Sequence, residues 1–152
     1  MRREERRITD KSEIDDIIRR ARVCRLGMCD SGQPYIVPLC FGFDGDALYF
    51  HCARIGRKLD MIRANPNVCF EIDIDHETIT ADTSCKWSMR YRSIIGFGIA
   101  SIIEDEEEIR KGLDVIMRQF TDQSPEYNNA VIPKTRIIRV QISELTAEKF
   151  GY

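Results

Sequence analysis

Apolar residues recur along this chain in two rhythms. Ile14, Ile17, Ile18 and Ala21 fall at i, i+3, i+4 and i+7, the spacing of one helical face. Asp10 and Glu13 precede them at capping-box spacing, with Asp in place of Ser or Thr. From Arg22 the rhythm shortens. RVCRLGMCD, PYIVPLCFGF and ALYFHC read as three strands joined by the turns DSGQ and DGD. Pro38, inside the second of them, cannot donate to a ladder, so it marks an edge, a bulge or a ligand-facing gap. A helix is expected from Gly56 to Asn65, with Ile55, Leu59 and Ile62 on one face and Asn65-Pro66 as its stop. VCFEIDID makes a fourth strand, and polar His76 to Ser88 a connection. Arg90 to Ile103 reads as a long strand in which Gly96 and Gly98 invite a bend. Glu104 to Glu108 opens a third helix, with an apolar face of Ile109, Leu113, Ile116, Met117 and Phe120. After a loop holding two prolines, RIIRVQI closes the fold as a strand, Ile138, Val140 and Ile142 alternating with Arg139 and Gln141. Six strands, tight turns, one crossover helix and flanking helices predict a small antiparallel barrel decorated by helices.

A chain of 152 residues is expected to form a single domain over residues 1–152. Its 43% hydrophobic and 32% charged content fit a globular chain. With 23 Lys and Arg against 25 Asp and Glu, the formal charge is −2, which argues against nucleic acid as a partner. No apolar run approaches ~20 residues, so no membrane span is expected. MRREERRITD lacks the apolar region of a secretory signal, and a cytoplasmic location is expected. Six scattered cysteines form no CxxC pair, so no metal site is expected and reduced thiols packed as small hydrophobes are. Cys52 stands apart because it ends a strand beside a basic turn.

That turn is the anomaly of the sequence. In YFHCARIGRKLDMIRANPNVCF, Arg57 and Lys58 occupy the first turn of the expected helix. The macrodipole is already positive there and the first N–H groups lack partners. The ordinary account is two solvated cations at a local cost of ~0.3–1 kcal/mol. The sharper account is an anion docked on exposed N–H groups between two cations, which is a phosphate cradle. No GxxxxGK[ST] occurs, and the GFG at Gly96 to Gly98 lacks the third glycine of a dinucleotide loop.

PYIVPLCFGF, YFHCARIGRKLDMIRANPNVCFEID, KWSMRYRSIIGFGIA and EDEEEIRKGLDVIMRQF together resemble the flavin-binding split-barrel proteins related to pyridoxamine 5′-phosphate oxidase, and among them the nitroimidazole-resistance, nitroimidazole reductase-like branch. The resemblance runs from about Arg22 to Ile142, and the GRK-helix-NPxVCF block is its specific part. It implies a mainly β, six-stranded antiparallel split β-barrel of Greek-key type, forming a homodimer with two FMN sites at the interface. It places Arg57 and Lys58 on the flavin phosphate. His51, Cys52 and Ala53 would lie beside the ribityl chain and ring, and the backbone of Val37, Pro38 and Leu39 against the ring system. Trp87 would come from the other subunit. The end ISELTAEKFGY has no arginine after Arg139, unlike the Arg-rich end that binds substrate phosphate in the true oxidases, which argues against vitamin B6 phosphate oxidation. Related barrels also bind haem or deazaflavin, so the fold leaves the ligand open.

His51 has two readings. A strand-end histidine is often a hydrogen-bonded packing residue, whereas in the resembling branch the matching His faces the flavin and could give a proton to a reduced substrate. His76 reads as surface, and Trp87 and Tyr91 could serve as interface hydrophobes. The expectation is a cytoplasmic, homodimeric, FMN-dependent oxidoreductase acting on a small molecule such as a nitro compound. The alternative is a non-enzymatic flavin or haem binder for storage or sensing. An oligonucleotide-binding barrel is disfavoured because the basic residues form no stripe.

Overall fold

The protein is described by a computed structural model covering residues 4–152. Its strands are β1 (Arg7–Ile8), β2 (Cys24–Asp30), β3 (Gln33–Leu39), β4 (Gly42–Phe43), β5 (Ala47–Ala53), β6 (Asn67–Ile79), β7 (Ser88–Ile103) and β8 (Thr135–Phe150). Its helices are α1 (Lys11–Arg20), α2 (Arg57–Ala64) and α3 (Glu106–Arg118). The strands form one antiparallel sheet in the order β3-β2-β6-β7-β8-β5-β4, with β1 added beside β8. Among the described residues the count is eight rather than the expected six, and the hydrogen-bonded path is open rather than closed. The two extra strands are each two residues long, too short for alternation to reveal. One of them, β4, is the far end of PYIVPLCFGF, which the chain breaks at Cys40 and Phe41.

Parity along each strand sets the layers. Leu48, Phe50 and Cys52 of β5 point into the main core with Leu26, Phe70, Ile72, Ile94, Ile138 and Val140. Ile17 and Ile18 of α1 and Leu59, Met61 and Ile62 of α2 join the same core. Burying such side chains contributes ~1.5–3 kcal/mol each, which outweighs the unfavourable charge at the start of α2. Ile55 takes no part. It is 85% exposed, because Gly56 turns the chain before the helix begins. Helix α3 packs on the other side of the sheet, where Ile109 and Ile116 meet Ile132, Ile137 and Tyr49. Its buried stripe is Ile109, Gly112, Val115 and Ile116, while Phe120 is exposed with the Arg22 guanidinium 5.5 Å from its ring centre.

Three further expectations change. Glu13 does not complete a capping box. Asp10 accepts from the Ser12 N–H, and Glu13 pairs instead with Lys149 at 2.7 Å. Strand β6 continues to Ile79 through an irregularity between Ile74 and Glu77, so His76 lies within it, paired with Asp73 at 2.6 Å. Strand β8 continues to Phe150, because an extra residue near Ser143 shifts the alternation by one and hides the second half.

The glycines of β7 serve close packing, and the irregularity in its pairing with β8 falls at Phe97 and Gly98. A Cβ on Gly96 would lie 2.2 Å from Cζ of buried Phe70, and β7 is continuous through that position. Gly96→Ala is expected to cost ~1–3 kcal/mol by overpacking. Thermal melting should show a loss of several degrees, and an unchanged Tm would mean that Phe70 moves aside freely.

Candidate functional site

The basic turn lies between the two ends of the sheet. Strand β3 ends the sheet on one side, with no further strand among the described residues beside it. On the other side β4 covers β5 only at Leu48 and Tyr49, so Phe50 to Ala53 keep an open backbone edge. Helix α2 follows that open segment directly. Its first residue reaches back to the opposite end, where the Arg57 guanidinium carbon lies 4.4 Å from the centre of the Tyr35 ring in β3.

Gly56 makes the turn with φ 148° and ψ 157°, a region open essentially to glycine alone. A Cβ there would meet nothing within 4 Å, so the requirement is backbone shape and the space beside the turn is clear. No side chain caps the start of α2. Among the described residues, Arg57 and Lys58 form no salt bridge and donate no side-chain hydrogen bond. The neighbouring cations differ. Arg63 and Arg136 both approach Glu104 Oε1, at 3.4 and 3.6 Å. Bare amides beside two uncommitted cations fit a phosphate group.

Cys52 points inward at the end of β5 and is buried. Burial pushes its thiol up, against the opposing charges of Lys58, Arg136 and Arg63. Such a thiol packs rather than reacts. Cys24, also buried, is pushed up by the same cause. Cys29, Cys40, Cys69 and Cys85 are exposed free thiols, so the expectation of packed thiols holds for only two of six. His51 and Ala53 point to the opposite face from Cys52 and are exposed. Tyr49, two residues earlier on that face, is anchored: its hydroxyl donates to Asp44 at 2.8 Å and accepts from Arg139 Nε at 3.0 Å. His51 has no such partner among the described residues.

Val37 and Leu39 of β3 are half-buried against the core, and Pro38 between them is exposed opposite Arg25. Arg25 itself is held by Glu71 at 2.8 Å and by Asp73. The structure thus brings β3 and the start of α2 together through Tyr35, and the end of β5 joins them by sequence. Trp87 stands apart. It follows the far end of the 13-residue β6, roughly 40 Å of strand from α2. Its indole N–H donates to the Ala81 carbonyl at 2.8 Å, and the residue is 54% exposed.

Tyr35, Arg63 and Arg136 join the candidate residues that the sequence suggested. Only parity hinted at Tyr35, which precedes Val37 and Leu39 on the same face of β3, and nothing local marks Arg63 or Arg136. A second feature lies on the outer face of the sheet. Gly27 sits between Ile36 and Cys69, and Cys69 beside Phe97. Around this row is a largely apolar hollow of about 590 Å³. Ile36, Ile95, Phe97 and Ile99 are each about half exposed or more.

Comparison with known proteins agrees with this fold. A candidate 5-nitroimidazole antibiotic resistance protein from Bacteroides thetaiotaomicron superposes with a TM-score of 0.83 at 35% identity, over 95% of this chain and 86% of that one. The flavocytochrome Anf3 from Azotobacter vinelandii shares the fold at 18% identity, with a TM-score of 0.86 over 100% of this chain and 72% of that one. A FAD- and haem-binding protein from Mycobacterium smegmatis does so at 20% identity, with a TM-score of 0.85 over 97% and 74%. An uncharacterised Rhizobium meliloti protein is 34% identical over 67 residues, a match spanning 43% of each chain. The family model described as pyridoxamine 5′-phosphate oxidase matches residues 10–149, and the chain belongs to that family.

Proposed function

We propose that this protein is an FMN-binding flavoprotein, and that it works as an FMN-dependent oxidoreductase on a small molecule such as a nitro compound. The observation that carries the reading is the pair Arg57 and Lys58, uncommitted cations beside the bare amides of a glycine turn. These residues would hold the flavin phosphate. The open edges of β3 at Val37, Pro38 and Leu39, and of β5 at His51, Cys52 and Ala53, would flank the rest of the cofactor. When bound, the flavin supplies the hydride or electron chemistry. The chain supplies the clamp, the backbone bed and an imidazole nitrogen of His51 that can give a proton. The identity of 35% to the nitroimidazole-resistance relative supports the choice of acceptor.

The same reading makes the protein a homodimer in the cytoplasm. The apolar outer face around Gly27, Ile36 and Phe97 suits a second copy, since a patch of this kind is rarely left bare. Trp87, distant from its own chain's clamp, would complete the partner's flavin site. No helix among the described residues is long and apolar enough to cross a membrane.

Two measurements test the proposal. The purified protein should show flavin absorption bands, and a Soret band instead would replace FMN by haem. Sedimentation equilibrium should give a dimer at micromolar concentration, and Phe97→Arg should give a monomer with weakened flavin binding. A wild-type monomer that binds FMN tightly would remove the shared site.

A further inference from the structure

Arg57 shares a small hollow with two carboxylates. Asp30, Gln33, Arg57, Asp60 and Met61 line a space of about 230 Å³ between the β2–β3 turn and α2. A guanidinium so placed would ordinarily pair with one of the acids. It does not: among the described residues, neither Asp30 nor Asp60 forms a salt bridge with Arg57. Asp60 instead meets Arg63 at 3.4 Å, and Asp30 accepts from the Ser31 hydroxyl at 3.1 Å. Arg57 lies over the face of Tyr35 at 4.4 Å. Tyr35 is opposite Met28 in the ladder and packs against the main core, so its ring has little freedom.

The chemistry of that contact matters. A guanidinium over an aromatic face is held by the ring quadrupole and spends no N–H group on it. A carboxylate partner would occupy two of the five donors and cancel the charge. We infer that Tyr35 is a positioning residue for a phosphate monoester: its ring holds Arg57 off Asp30 and Asp60, so that the cation and its donors stay available at the start of α2. This rests on the reading of Arg57 as a flavin-phosphate ligand. Without the ring, Arg57 falls onto the two acids, and the ligand must break that pairing before it binds.

The test titrates FMN and riboflavin into wild type, Tyr35→Phe, Tyr35→Leu and Tyr35→Met, with thermal melting to confirm folding. Tyr35→Met keeps the bulk without the π face and serves if the leucine variant does not fold. Tyr35→Phe should bind both ligands within about twofold of wild type, because the ring face remains. The non-aromatic variants should lose about 3- to 30-fold in FMN affinity and leave riboflavin unchanged. Adding Asp30→Asn with Asp60→Asn should recover more FMN affinity in the non-aromatic background than it gains in wild type, a coupling that a bulk charge effect would not give. Equal loss of both ligands, or additive effects of the acid substitutions, would overturn the role of Tyr35. A wild type that binds riboflavin as tightly as FMN would overturn the phosphate reading itself, and this inference with it.

Discussion

Arg57→Ala and Lys58→Ala should each weaken FMN binding by ~10–150-fold while leaving riboflavin nearly unaffected. The range follows from ~1.5–3 kcal/mol for a charge-assisted hydrogen bond, converted at 1.4 kcal/mol per decade. Both cations lie at a turn where no carboxylate among the described residues is within salt-bridge reach, so removal leaves no orphaned partner. The fold should therefore survive. Arg57 is exposed, and the half-buried Lys58 lies beside Leu59, which carries the packing. Salt should weaken FMN binding to wild type more than to either variant. Equal losses for FMN and riboflavin would mean that the two residues shape the site rather than bind phosphate.

The second large effect concerns His51. His51→Gln and His51→Ala should retain FMN and lower turnover of a nitro acceptor by ~10²–10⁴-fold, the usual contribution of a positioned general acid. The structural motive is its freedom. The residue is exposed at the open end of β5, whereas Tyr49 on the same face is tied to Asp44 and Arg139. A histidine kept for packing would be enclosed, and this one is not. Single-turnover kinetics with pre-reduced enzyme would isolate the step. Unchanged rates with intact binding would reduce His51 to a surface residue, and loss of FMN would make it a binding residue.

The segment from Tyr49 to Phe70 was readable because three local rules coincide there. A period-2 run ends, a helix starts with cations where acids are favoured, and Asn65-Pro66 stops that helix. Elements of ten residues or so with clean periodicity were equally plain, as α1 and α3 show. What stayed hidden was whatever depends on register. The extra residue near Ser143 moves Leu145 and Ala147 into a new phase, so β8 looked finished at Ile142. Ile137 packs under α3 and Ile138 in the main core, and neighbours on one strand cannot announce two cores. Tyr35 and Arg57 are 22 residues apart, and their contact exists only because the sheet brings its first edge round to α2.

The position of β3 has a consequence for how the protein survives in a crowded solution. An unpaired edge can template a strand from another chain and begin a fibril. Pro34 and Pro38 stand four residues apart on that edge, so they share one phase of the ladder. Proline on an edge strand sits with its missing N–H outward. Of the three outward-facing positions, only Ile36 then offers a donor, while the carbonyls of Ile36 and Pro38 remain and that of Pro34 accepts from the Gln33 side-chain amide at 3.3 Å. An incoming strand would find acceptors almost without donors and could not register. The edge left open beside the clamp is thus closed to self-propagating β-assembly, and replacing both prolines by alanine should expose a latent tendency to aggregate.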